Sequence, residues 1–248
     1  MKPFLTANWT NLINITYAIP PELLFPYLPE GVEPDVIDGK AFVSLVPFDF
    51  TETRLMGMKI PFHVNFPEIN FRFYVTHNGK RGVVFIREFV SKFFISNIAN
   101  IFYHENYKWC DLESKVRFSD NGICVQHKLN AGRKQHIVKV IANDQCRLPE
   151  NGSMEHFFEE RFYGYSSDRK RNALEFRVEH ESWELFPVID YTCEFDFGKL
   201  IGKEWGFLNK QHPICVMLIK GSAVRMFPHK RVKEKEEVRE GAKLALQQ

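Results

Sequence analysis

Residues 68–76 (EINFRFYVT) alternate between apolar and polar side chains, and this alternation constrains the fold more than any other segment. Successive side chains of a β-strand point to opposite faces of its sheet. One face would carry Ile69, Phe71, Phe73 and Val75, and the other Glu68, Asn70, Arg72, Tyr74 and Thr76. A one-residue shift in pairing would exchange the two faces, so we expect a firmly fixed register.

The rest of the chain also favours strands. Asn78-Gly79 separates residues 68–77 from 81–90 and suits a tight hairpin turn, in which both central residues need positive φ. Patterning predicts further strands over 11–19, 39–50, 108–118, 124–129, 135–142, 173–183, 214–220 and 223–227, and helices over 20–28, 91–105 and 153–163. Many antiparallel strands with few helices predict an α+β, mainly β fold, either a barrel or a strongly curved sheet.

Composition narrows the class of protein. The 24 Phe, 8 Tyr and 4 Trp need a broad core or a lined cavity, because large rings dominate buried area. A net charge of +2 gives no electrostatic basis for binding nucleic acid or an anionic membrane. No apolar run reaches the roughly 18 residues of a membrane span.

No repeat or linker divides the chain, so we predict one domain over residues 1–228 and a charged C-terminal extension over 229–248.

Motifs for cofactors and metals are absent from the sequence. There is no Gly-x-Gly-x-x-Gly, Walker A or Gly-x-Ser-x-Gly pattern, and the histidines show no metal-ligand spacing. The five cysteines form no Cys-x-x-Cys pair, which predicts free thiols and a cytoplasmic location. We therefore expect neither a cofactor nor a bound metal.

The polar face of residues 68–76 has two interpretations. It could meet solvent, as one face of an antiparallel sheet commonly does. It could instead line a cavity, where Arg72 would hold a carboxylate and Glu68 would transfer a proton, with Asn70 and Tyr74 as further substrate-binding groups.

Two other residues are candidates for chemistry. Lys108, between Tyr107 and Trp109, would lose basicity if aromatic neighbours desolvated it, and could then attack a carbonyl to form a Schiff base. The alternative is a surface lysine that lies over aromatic rings. His180 shares a predicted strand face with apolar residues, and such a histidine is more often a hydrogen-bonded core residue than a catalyst.

Several segments together resemble the YqjF-like bacterial family. They are residues 9–50, FPEINFRFYV (66–75), GVVF (82–85), FEERFY (158–163) and HESW (180–183). That family is similar in turn to acetoacetate decarboxylase. The resemblance implies a cone-shaped, largely antiparallel β-barrel with flanking helices, an internal cavity and assembly into oligomers.

The resemblance also implies roles for individual residues. Lys108 matches a decarboxylase lysine that follows a helix, although the adjacent proline and second lysine are missing here. Without a neighbouring ammonium, the repulsion that would lower the pKa of such a lysine is lost. Glu68 matches an acidic residue that lines the decarboxylase cavity, and residues 179–183 match a stretch that we interpret as structural.

Three functions remain open from the sequence. The first is a barrel that binds a small, carboxylate-bearing or apolar metabolite without chemistry, which the missing lysine pair favours. The second is a Schiff-base lyase or decarboxylase that acts on a keto acid through Lys108. The third is an interaction module without a cavity, which predicts a solvent-exposed polar face over residues 68–76.

Overall fold

The structure, a computed structural model, describes residues 2–91, 107–119, 122–168 and 172–232, and within them strands predominate. The strands are β1 (Leu5–Ile19), β2 (Glu33–Pro34), β3 (Ala41–Leu55), β4 (Phe66–His77), β5 (Lys80–Val90), β6 (Tyr107–Trp109), β7 (Asp111–Ser119), β8 (Gly122–Ala131), β9 (Lys134–Ala142), β10 (Tyr163–Ser167), β11 (Ala173–His180), β12 (Leu185–Phe186), β13 (Val188–Glu194), β14 (Cys215–Met226) and β15 (Lys230–Arg231).

Seven of these strands close into a hydrogen-bonded ring. Its order is β14–β1–β3–β4–β5–β10–β11, and β11 pairs back onto β14. The β5–β10 pair is parallel, whereas the other six pairs of the ring are antiparallel. The ring confirms the predicted mainly β, α+β fold and its curvature.

A second sheet, in the order β13–β9–β8–β7, covers part of the outside of the ring. Phe71 and Phe89 of the ring share one apolar core with Val125 and Val140 of this second sheet. A separate core fills the inside of the ring and includes Leu12 of β1, Phe48 of β3 and Phe176 of β11, together with Trp183 from the segment after β11. Both faces of β4 are therefore covered, and neither is left to solvent.

Bulges in the ring strands set which side chains point inward. In β1, Asn11 has φ 54°, and the β1–β3 register shifts between Thr10 and Ile15. In β5, Ile86 is the extra residue, because Phe71 pairs with Arg87 while Arg72 pairs with Phe85. A bulge of this kind leaves one residue unpaired and reverses the facing of the residues beyond it.

The helices are short. The predicted helix at 20–28 is a 3₁₀ helix over Pro21–Tyr27, and the one predicted at 153–163 is an α-helix over Met154–Glu159, capped by Ser153. This second helix ends early because Tyr163–Ser167 pairs with β5 and β11. Further short helices cover Phe197–Leu200 and Lys203–Lys210. None of the helices in the described ranges is long and apolar enough to cross a membrane.

Other boundaries differ from the sequence interpretation. Residues 214–220 and 223–227 form one continuous strand, β14, instead of two. The helix predicted over 91–105 lies outside the described residues apart from Ser91, and so does the tail from 233 onward. The first residues of the predicted extension, Lys230–Arg231, pair with β11 as the short strand β15.

Candidate functional site

Strand β4 turns its polar face toward the inside of the ring. Glu68 and Asn70 are each 3% exposed and Arg72 is 7% exposed. The intervening residues Ile69 and Phe71 pack in the outer core. The solvent-facing interpretation of this face is therefore wrong, and an interaction module with an exposed polar face does not match the structure.

These three polar residues line a cavity of about 50 Å³ inside the ring. Its other charged lining residues are Glu88, Glu159 and Arg161, and its aromatic lining includes Trp9, Phe48, Phe50, Phe85, Phe176 and Trp183. A water molecule needs about 10–15 Å³ of such volume, so the space is equivalent to roughly three to five water molecules. The cavity is thus too small for a drug-sized molecule.

Among the polar atoms of the lining residues, the following are buried without a hydrogen-bond partner in the described part of the chain. Three are donors, namely Arg72 Nε, Arg161 Nη2 and Trp9 Nε1, and one is an acceptor, Asn70 Oδ1. Leaving such a group unpaired costs about 1–3 kcal/mol. A molecule in the cavity that accepts from these donors recovers that free energy.

Arg161 is held rigidly by its surroundings. Its side chain is 2% exposed, its Nη1 donates to Asp35 Oδ2 at 2.6 Å, and its Nε donates to the Phe157 carbonyl oxygen at 3.0 Å. Its guanidinium carbon lies 4.9 Å from the ring centre of Tyr74 and 4.2 Å from that of Phe157. Burial lowers the pKa of Arg161 to about 10, against the opposing effect of Asp35, so the group stays charged at neutral pH.

Three carboxyl groups also line the cavity. Glu88 on β5 lies directly across from Asn70, and Glu68 lies across from Val90. Glu159 ends the helix Met154–Glu159, and its Oε1 accepts from the Trp183 backbone N–H at 2.7 Å. Burial raises the pKa of Glu159, and the Trp183 hydrogen bond partly opposes that rise.

Tyr74 is committed to a polar network instead of lining the cavity. Asn14 Nδ2 donates to the Tyr74 hydroxyl at 3.2 Å, and this hydroxyl lies 2.7 Å from Ser44 Oγ. Ser44 Oγ lies 2.7 Å from Thr16 Oγ1, which donates to Asn14 Oδ1 at 2.9 Å. If Tyr74 donates to Ser44 and Ser44 to Thr16, every hydroxyl gives and accepts one bond in a closed cycle. The Tyr74 ring nevertheless supports the Arg161 guanidinium.

The structure does not bring Lys108 together with Glu68 and Arg72. Lys108 lies on β6 opposite Phe89, its side chain is exposed, and it is not among the residues that line the cavity. The lining residues include no lysine among those the structure describes.

His180 lies at the end of β11, stacked on Trp183 with ring centres 4.0 Å apart. Its Nδ1 lies 2.8 Å from the Glu181 carbonyl oxygen, which can only accept, so Nδ1 carries the hydrogen. Burial lowers the pKa of His180, which favours the neutral ring. These contacts match the structural role that the sequence favoured.

Sequence reasoning did not single out Trp9, Glu88, Glu159 or Arg161. For Glu159 and Arg161 a signal was present, because both lie in the segment FEERFY that resembles the YqjF-like family. Trp9 likewise begins the first resembling segment. Within the described ranges, no group of three or more His, Cys, Asp or Glu side chains is arranged to hold a metal ion.

Comparison with known proteins places this chain in a family. A family model described as an uncharacterized conserved protein, DUF2071, matches residues 6–222, and the chain belongs to that family. The uncharacterized protein YqjF of Bacillus subtilis (strain 168) is 25% identical over 182 residues, which are 72% of this chain and 73% of that protein. The resemblance found in the sequence is thereby confirmed.

Solved structures with a similar fold are acetoacetate decarboxylase-like. The enduracididine biosynthesis enzyme MppR, complexed with pyruvate, has a TM-score of 0.65 at 11% identity, covering 94% of this chain and 91% of that one. An acetoacetate decarboxylase-like enzyme from Sphingomonas wittichii RW1 has a TM-score of 0.63 at 11% identity, covering 95% of both chains. An acetoacetate decarboxylase from Legionella pneumophila has a TM-score of 0.61 at 12% identity, covering 94% and 88%. At these identities the likeness establishes the fold.

Proposed function

We propose that this chain binds a small carboxylate-bearing metabolite in the cavity inside the ring. The observation that carries the proposal is the convergence of three unpaired N–H donors, two of them on buried guanidinium groups. Arg72 comes from β4, Arg161 from the segment before β10, and Trp9 from β1. Charge-assisted hydrogen bonds from guanidinium to carboxylate are about twice as strong as neutral ones.

The dimensions of the site limit the ligand. About 50 Å³ accommodates a two- to four-carbon acid and excludes long-chain or aromatic acids. MppR, which shares the fold, is complexed with pyruvate, a carboxylate of this size. The aromatic lining would contribute affinity, while the two guanidinium groups would orient the carboxylate.

Thermal unfolding and calorimetric titration with acetate, propionate and pyruvate test this proposal. We expect the wild type to gain thermal stability with at least one of these acids. Arg72→Gln and Arg161→Gln should each weaken binding by about tenfold or more, since each removes a charge-assisted donor. The matched control is Arg177→Gln, because Arg177 pairs with Glu179 on a surface where its side chain is 47% exposed. The proposal fails if no small acid binds, or if the control variant loses as much affinity as the two cavity variants.

The alternative, Schiff-base chemistry at Lys108, has less support because that side chain is exposed and does not line the cavity. Borohydride reduction in the presence of pyruvate or acetoacetate, followed by mass spectrometry, distinguishes the two functions. Simple binding predicts that no adduct forms. It also predicts that the gain in thermal stability on adding ligand persists in Lys108→Ala. An adduct on Lys108, together with loss of every ligand-induced thermal shift in Lys108→Ala, would show that the protein is a Schiff-base enzyme and not a simple binding protein.

A further inference from the structure

The inward polar side chains of β4 follow one another in a fixed order of charge. The inward side chains of this strand run in the order Glu68, Asn70, Arg72 and Tyr74. Glu88 lies across from Asn70, on the same side of Arg72 as Glu68, whereas Arg161 packs on the ring of Tyr74 beyond Arg72. Glu68 and Glu88 therefore lie on one side of Arg72 along β4, and Arg161 lies on the other. The third lining carboxyl group, Glu159, precedes Arg161 by two residues.

The unpaired atoms call for a ligand with both acceptors and donors. Arg72 Nε, Arg161 Nη2 and Trp9 Nε1 need an acceptor, which a carboxylate provides. Asn70 Oδ1 needs a donor, and it lies between the guanidinium and carboxyl parts of the site. An ionised carboxylate has no hydrogen to donate, so a plain carboxylate leaves Asn70 Oδ1 unpaired.

The charge balance points the same way. Three carboxyl groups and two guanidinium groups line the cavity. Asp35 pairs with Arg161 and also with Arg81, so it is not counted in this balance. A simple anion would add negative charge to a lining in which acidic groups outnumber basic ones. A ligand that carries its own cation adds no net charge, and its ammonium would lie toward Glu68 and Glu88.

We infer that the ligand of this cavity is a small zwitterion, an amino acid of the size of glycine, alanine or β-alanine. The inference rests on the proposed function and specifies the class of carboxylate. The carboxylate lies between Arg72 and Arg161, while the ammonium donates to Asn70 Oδ1 and faces the carboxyl groups of Glu68 and Glu88. No bond is made or broken in this binding event.

A matched set of three compounds tests the inference on the wild-type protein. β-Alanine carries both charges, propionate lacks only the ammonium group, and ethylamine lacks only the carboxylate. Calorimetry should give β-alanine, or one of the α-amino acids glycine and alanine, an affinity at least about tenfold above those of propionate and ethylamine. Propionate binding as tightly as the amino acids overturns this inference and leaves the proposed function standing. Ethylamine binding most tightly overturns both, as does the absence of binding by every acid and amino acid.

Two conservative variants locate the ammonium group. Glu88→Gln and Glu68→Gln should reduce the affinity for the amino acid while propionate affinity stays the same or improves. Arg72→Gln should lower the affinity for both the amino acid and propionate. If the glutamate variants lose as much affinity for propionate as for the amino acid, these carboxyl groups do not face an ammonium. Should either glutamate variant fail to fold, the three-compound comparison on the wild type still decides.

Discussion

The hydroxyl of Tyr74 lies 2.7 Å from Ser44 Oγ, in the interior of the ring, and both side chains are fully buried. This contact belongs to the network that also includes Asn14 and Thr16. The network fixes the aromatic ring on which Arg161 lies, so an internal polar cluster supports a guanidinium that lines the cavity.

Replacing Tyr74 by Phe should destabilise the fold by about 1–3 kcal/mol, because Ser44 and Asn14 each lose a buried partner. Chemical denaturation followed by fluorescence measures the change. Tyr191→Phe, at a half-buried tyrosine of β13, is the control and should cost less. If the two variants have the same unfolding free energy, the network makes no measurable contribution to the stability of the fold.

Glu159 makes stability fall as the pH rises. Burial raises its folded-state pKa above the ordinary 4.5, so the native state retains a proton that the unfolded chain has released. The unfolding free energy should therefore decrease with pH from about 4.5 up to the raised pKa, and the contribution of the neutral acid is fully present below that window.

Glu159→Gln keeps an acceptor for the Trp183 N–H and removes the titrating group. Its stability relative to the wild type should increase as the pH rises from 4.5, measured by urea unfolding across the range. Glu160→Gln, at a side chain that is 43% exposed, serves as the control. Parallel stability curves for Glu159→Gln and wild type would contradict the expected linkage.

His127 has the opposite effect. It is 1% exposed, its Nε2 lies 2.9 Å from the Asn11 carbonyl oxygen, and burial lowers its pKa below the ordinary 6.5. The unfolded chain then binds a proton more readily than the native state, so stability should fall as the pH drops below 6.5, by up to about 1.4 kcal/mol per pH unit.

His127→Gln retains a donor for Asn11 and should reduce this acid sensitivity. The measurement is the slope of the unfolding free energy between pH 7 and about 5. The exposed His212→Gln should leave the slope unchanged. An unaltered slope in His127→Gln would mean that other groups cause the acid sensitivity.

Gly221 permits the close approach of β14 to β1. It has φ +81°, and an added Cβ would lie 1.9 Å from the Trp9 carbonyl oxygen. Gly57 has a similar φ of +85°, but a Cβ added there would have no atom within 4 Å. Gly57→Ala should cost about 1–2 kcal/mol from the backbone alone, because a Cβ is disfavoured at positive φ.

Gly221→Ala should cost clearly more than Gly57→Ala, since the strand pairing itself must shift. Thermal unfolding of the two variants side by side gives the comparison. Equal losses would show that β1 and β14 can separate at this point without penalty.

The amino-acid sequence determined the strand content, the Asn78-Gly79 hairpin and the composition of the two faces of β4. Both turn residues have positive φ, at 49° and 75°, as the Asn-Gly pair predicted. These features are local, because alternation and turn chemistry are properties of neighbouring residues. The resemblance to the YqjF-like family likewise lay in the sequence and is confirmed by the family match.

Only the tertiary structure decided which groups meet. Simple extension of the hairpin register would pair Asn70 with Arg87, but the bulge at Ile86 places Glu88 there instead. Arg161 and Trp9 reach the cavity through ring closure across strands distant in sequence, and Lys108 stays outside it. Local patterns carry no information on a one-residue bulge or on strand order, because these depend on packing between segments far apart in the chain.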